Sequence, residues 1–122
     1  MGKSNFQRLT VWQKSKDLAV LIYSISNDGA FAKDFGLRDQ IRRSAVSVPS
    51  NIAEGNERET DKEAIRFFYI ARGSAAELLT QMIISTEIGY VDRKLFGDIE
   101  ERCLEISRML SKLISARSLS SS

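Results

Sequence analysis

Glu54 and Glu77 are the residues of this chain that could do acid–base chemistry. If the helices bearing them brought the two carboxyls together, one could donate a proton while the other accepted one. Ser47, Ser50 and Ser74 offer hydroxyls, but the chain has no histidine to activate them as nucleophiles. A nucleophile with its base, a phosphate-cradling glycine loop and a marked substrate pocket are all missing from the pattern. The absence of histidine, with Cys103 as the single thiol, also removes the common zinc sites and the Glu-x-x-His metal motif of helical bundles. The pattern therefore predicts no metal, no cofactor and no enzyme, and a protein that acts by binding.

The 122 residues suffice for one domain with a real core, and 18 basic against 16 acidic side chains leave a net charge of +2. That charge is too small to argue nucleic-acid binding in bulk, but its distribution is uneven. Beyond Glu105 the chain carries Arg108, Lys112 and Arg117 and no acid. Cations suit a helix C-terminus, which is the plain explanation for them. Arg108 and Lys112 also lie four apart, as do Arg38 and Arg42 with Arg43 adjacent, so each pair shares a helical face and could contact phosphates. A lone cysteine supports no internal disulfide and fits a reducing compartment. No apolar run approaches a membrane span and the N-terminus has no signal-peptide core, so a cytoplasmic location is expected.

The elements that must carry these residues are helical. Val11, Ser15, Leu18, Ile22 and Ile25 form one face of a helix over residues 9–27, with Trp12, Lys16, Ala19 and Tyr23 as a second stripe. Asn27-Asp28-Gly29 ends it, and residues 30–36 connect onward with Phe31 and Phe35 tucked into the bundle end. Leu37, Ile41, Ala45, Val48 and Ile52 define a second helix over residues 37–57. Pro49, the only proline, lies inside it. A mid-helix proline lacks an N–H and clashes with the carbonyl four residues back, so a kink is predicted there, compensated by Ser44, Ser47, Ser50 or Asn51. Thr60 and Glu63 form a capping box for a third helix that Gly89 stops. Asp92 caps a fourth, whose face is Leu95, Ile99, Cys103, Ile106, Leu110 and Leu113. No stretch alternates with period two. The expected fold is all-α, an antiparallel up-down-up-down four-helix bundle over residues 9–117. Residues 1–8 form an N-terminal tail and residues 118–122 a fraying serine-rich tail.

The third helix is apolar nearly all round, with Arg66, Glu77, Thr80 and Gln81 as its main polar residues between Ile65 and Ile84. Such a helix is buried on more than one side. Together with the Trp12 and Tyr23 stripe, this predicts a subunit interface and a homo-oligomer. Arg72 interrupts the third helix's core stripe. A buried guanidinium needs a partner, and Glu54, Asn51 and Asp17 are within the pattern's reach. It would then tie the helices in register, snorkel to solvent, or bind an anion or a neighbouring subunit. If it is a buried tie, Arg72→Ala strands a partner and destabilises the fold. Gly73 with Ser74, Ala75 and Ala76 would let another helix approach closely.

Two segments then carry a resemblance. Ser47-Val48-Pro49-Ser50-Asn51-Ile52-Ala53-Glu54-Gly55 and Phe67-Phe68-Tyr69-Ile70-Ala71-Arg72-Gly73-Ser74-Ala75-Ala76-Glu77-Leu78 resemble the four-helix-bundle proteins encoded in intervening sequences of bacterial 23S ribosomal RNA genes. Val11-Trp12-Gln13-Lys14-Ser15 and Gly36-Leu37-Arg38-Asp39-Gln40-Ile41-Arg42-Arg43-Ser44 are similar to that family too, so the resemblance spans Phe6 to Ile114. It implies a small antiparallel bundle assembled as a five-membered ring, a pentamer. It also implies kinship with the accessory variability determinant of diversity-generating retroelements, a basic bundle that binds nucleic acid and a reverse transcriptase. Pro49, Asn51, Glu54, Gly55, Arg72, Gly73 and Glu77 are the matching motif positions, and the resemblance gives them no chemistry.

Two binding functions are compatible with these features. In the first, an oligomer binds RNA or DNA through Arg38, Arg42, Arg43, Arg108 and Lys112, with Trp12 and Tyr23 at an oligomer interface or stacked on bases. In the second, the apolar stripes recognise a helical or polymerase-like protein partner without nucleic acid.

Overall fold

The structure is a computed structural model that describes residues 5–120. It is all-α, and no strand occurs among the described residues. Six helices follow in order: α1 (Asn5–Arg8), α2 (Thr10–Ile25), α3 (Gly29–Lys33), α4 (Phe35–Asn56), α5 (Asp61–Glu87) and α6 (Arg93–Ser120). The four long helices match the four expected from periodicity, and α1 and α3 are short additions. α2 packs on α4 and α6, and α5 packs on the same two. The backbones of α2 and α5, and those of α4 and α6, do not approach closely among the described residues. The core between them holds Leu18 and Ile22 from α2, Ile41, Val48 and Ile52 from α4, Phe68, Leu78 and Met82 from α5, and Ile99, Ile106 and Leu110 from α6. Buried Ser15, Ser26 and Ser85 each donate to the carbonyl one turn back, which satisfies the hydroxyl hydrogens within the chain's own turn.

Local signals set most helix ends. Thr60 Oγ1 accepts from the Glu63 N–H at 3.2 Å, and Asp92 Oδ1 accepts from the Leu95 N–H at 2.7 Å. At the end of α5, Tyr90 N–H donates to the Ser85 carbonyl and Gly89 N–H to the Thr86 carbonyl, the Schellman pattern. It requires a left-handed residue, and Gly89 has φ +88°. Gly29 likewise takes φ +63° after α2.

α4 runs without a break from Phe35 through Pro49 to Asn56, and Pro49 is buried within it. Of the four side chains expected to supply local hydrogen bonds around the proline, Asn51 does so, donating to the carbonyl and hydroxyl of Ser47 at 2.8 and 3.0 Å. Phe31 is buried as expected, but Phe35 is 64% exposed and lies under the Arg38 guanidinium. The reason is that helix α4 starts at Phe35 itself, capped by Asp34, so the ring points outward at the first turn. The chain before residue 9 is helical from Asn5, with Phe6 edge-on to Trp12, and α6 continues to Ser120 instead of ending near residue 117. Residues 1–4, 121 and 122 of the two expected tails lie outside the described residues.

Candidate nucleic-acid interface

The seam between α4 and α5 is the tightest place in the molecule that the motif residues reach. Gly55 faces α5 so closely that a Cβ there would stand 2.7 Å from Phe68 Cε1 and 3.0 Å from both the Ala64 carbonyl oxygen and Phe67 Cβ. Only glycine fits without displacing an aromatic ring and a backbone carbonyl. Two turns earlier in α4, the Ser47 and Ser74 hydroxyls hydrogen-bond at 2.7 Å, with Asn51 donating to Ser47. These polar groups satisfy one another inside a largely apolar seam.

Glu54 and Glu77 are not brought together. Glu54 is exposed and pairs with Arg58 one turn later in α4. Its neighbour Gly55 meets Phe67 and Phe68, and Glu77 lies about 15 Å further along α5 at 1.5 Å per residue. No cluster of three or more metal-binding side chains occurs among the described residues. A groove of about 450 Å³ between α2 and α6 is lined by Leu9, Thr10, Val11, Met109, Lys112 and Leu113, with no carboxylate to do acid–base work. Cys103 is buried, and burial pushes its thiol up to about 12, so it stays protonated and unreactive at neutral pH.

The basic residues divide into engaged and open ones. Arg42 donates from Nε to Ser26 Oγ at 2.8 Å and from Nη2 to the Tyr23 carbonyl at 3.4 Å, and its guanidinium lies over the Tyr23 ring. It caps the carbonyl end of α2, where a cation is favourable. Arg38 donates to the Ala32 carbonyl and pairs with Asp39. Arg43, Arg108 and Lys112 are exposed. The two basic groups lie at opposite ends of α2. Arg42 meets its last turn, whereas Lys112 lines the groove at its first. α2 has 16 residues and so spans about 24 Å. The structure therefore does not merge the five candidates into one patch.

Arg72 departs most from expectation. It is half-buried, not buried, and bonds none of Glu54, Asn51 or Asp17. Its Nη1 donates to Ser111 Oγ on α6 at 3.1 Å, and its guanidinium stacks 4.8 Å from the Tyr69 ring centre. The physical reason is its place on α5: it sits at the α6 edge of the core stripe, away from the α4 and α2 side chains. Asp17 instead pairs with Lys16, whose hydrogen bond holds its carboxyl below the usual range. Gly73 faces open space, with nothing within 4 Å of a Cβ placed there, so the close approach occurs at Gly55 instead.

Trp12 is half-buried against Phe6, and Tyr23 is exposed beneath Arg42. Sequence reasoning missed three contacts. Asp34 accepts from the Leu37 N–H and from Tyr90 Oη at 3.0 Å, tying the start of α4 to the α5–α6 turn. That bond raises the Tyr90 phenol above its ordinary value. An aspartate three residues before Leu37 is a readable cap signal; its tyrosine partner is not. Ser111 and the Arg117–Asp61 pair, at 2.9 Å, were equally invisible, because neither partner carries a local pattern.

Residues 7–112 match the family of 23S rRNA-intervening sequence proteins. The chain belongs to that family. A crystal structure at 1.70 Å resolution of a protein with unknown function from the S23 ribosomal protein family, from Bacteroides thetaiotaomicron VPI-5482, is similar to it. The two are 27% identical, with a TM-score of 0.80 over 86% of this chain and 98% of that one. A search of the curated proteins finds no match. The expectation drawn from the motif residues is thus met at the level of family, and the likeness to the S23 member supports the same fold. No helix among the described residues is long and apolar enough to cross a membrane.

Proposed function

We propose that this 23S rRNA-intervening sequence protein is a non-enzymatic, cytoplasmic four-helix bundle that self-associates and binds RNA. The antiparallel arrangement is supported by contacts that run in opposite directions along the α4–α5 and α5–α6 pairs. Ser47 meets Ser74 while Gly55 meets Ala64, and Arg72 meets Ser111 while Asp61 meets Arg117.

The observation that carries the binding reading is the apolar exterior of α5. Ile70, Ile84 and Ile88 are 42%, 45% and 52% exposed, and Tyr69 and Ile83 are exposed as well. Ile84 and Ile88, one turn apart with Ile83 beside them, cluster at the C-terminal end of the helix, and such an exposed apolar cluster marks an interaction surface. A second copy of the chain covers it in this reading, within a ring for which the family resemblance implies five members. RNA enters through exposed Arg108 and Lys112 in the acid-free end of α6. The same isoleucines would equally suit a helical protein partner, which is the second reading.

Light-scattering mass in low salt, with and without a structured RNA, tests it. A ring-sized particle that gains mass with RNA and loses it in high salt is the expected result. A ring indifferent to RNA moves the assignment to a protein partner, and a monomer refutes self-association.

A further inference from the structure

We propose that the α5–α6 face around Arg72 is a phosphate-binding site, with Arg72 as its anchoring donor and the RNA backbone as its ligand. This rests on the RNA-binding reading above and gives it a place on the molecule. Arg72 is half-buried, yet no carboxylate pairs with it among the described residues. A guanidinium has five N–H donors, and the Ser111 hydroxyl takes one of them. Half-buried Arg117, by contrast, finds Asp61 at 2.9 Å. A partly desolvated cation left without a counter-charge is costly, and an incoming anion relieves that cost.

The surroundings point to a polyanion. Between Glu63 and Glu77, α5 has no acid, with Arg72 at its α6 edge and Arg66 about 120° away round the helix, and beyond Glu105, α6 carries Arg108, Lys112 and Arg117 and no acid. The Arg72–Ser111 and Arg117–Asp61 contacts lay these two stretches side by side. Arg108, three residues before Ser111, shares its side of α6 and is exposed. Ser111 and the Tyr69 ring fix the plane of the guanidinium, so its remaining donors form a pre-set fork of the kind that grips phosphate. Gly73, beside Arg72, leaves the approach open. A single carboxylate from a protein partner would satisfy Arg72 alone. Arg72 and exposed Arg108, neither of them paired with a carboxylate, match successive phosphates of one chain.

The test uses the full chain and two readouts. Inorganic phosphate is titrated while the Arg72 Nε–H resonance is followed by NMR, and a labelled single-stranded RNA is titrated at a series of salt concentrations. We expect a saturable phosphate shift at Arg72. Arg72→Gln should weaken RNA binding about tenfold and reduce the salt slope by about 1. Arg72→Lys, which keeps the charge and loses the fork, should weaken binding with the slope retained, and it carries the test if Arg72→Gln does not fold. Lys33→Gln on α3 should change neither readout. RNA binding that ignores Arg72→Gln overturns the site and leaves the RNA reading standing. A phosphate shift without RNA binding keeps the phosphate site and removes RNA as its ligand. Acetate shifting Arg72 as strongly as phosphate, with RNA ignored, overturns both in favour of a protein carboxylate.

Discussion

The seams on either side of α5 use similar small and polar residues to opposite ends. Toward α4, Gly55 lets the backbones close until a single added carbon would collide with Phe68, and Ser47, Asn51 and Ser74 satisfy one another. Toward α6, Arg72 rests on one serine hydroxyl and a tyrosine ring, and Gly73 beside it faces open space. The Gly55 seam closes to contact; the Arg72 edge of the other leaves donors and backbone accessible. Small residues alone therefore do not mark a packing face, because what matters is the atom that stands where the missing side chain would be.

The largest effect should come from filling the tight seam. Gly55→Ala should lower stability by about 1–3 kcal/mol, read from urea denaturation, because overpacking outweighs the helix propensity gained. Ser74→Ala should cost about 1 kcal/mol in the same assay, since Ser47 loses its partner across the seam. A smaller effect tests the core beside the open seam. Cys103 has its folded value raised to about 12 against an ordinary 9.0, so the stability it contributes is complete below pH 9 and is lost as pH rises from there toward 12. In the native chain at pH 8 it should resist alkylation, and denaturant should expose it. The smallest effect belongs to Arg72→Gln, which should change stability by less than about 1 kcal/mol because it strands only an accessible serine hydroxyl. A large loss there would mean that the open seam also fastens the fold.

Much of the fold was legible because its signals are local. Thr60, Asp92, Gly29 and Gly89 each act through their own turn, and the apolar spacing of Leu18, Ile22, Ile52, Phe68 and Ile106 places them inward without reference to any partner. The candidate interface was less legible because it depends on which helices are neighbours. Arg38 and Arg42 read as solvent-facing phosphate contacts, yet Arg42 caps α2 and Arg38 donates to the Ala32 carbonyl. Arg72 read as a tie, a snorkelling cation or an anion contact with Glu54, Asn51 and Asp17 as candidate partners, because periodicity places it near the core stripe but cannot say that α6, and Ser111 on it, covers that edge. Gly55 and Gly73 look alike in sequence, and only the approach of Phe68 distinguishes them.

The most direct test of that distinction is the stability of Gly55→Ala and Gly73→Ala, measured side by side by urea denaturation at one protein concentration. Opposite signs are predicted. Gly55→Ala should lose stability, whereas Gly73→Ala should gain about 0.5–1 kcal/mol from reduced backbone freedom in the unfolded chain. Two losses of similar size would contradict the account, because they would mean that Gly73 is packed as closely as Gly55.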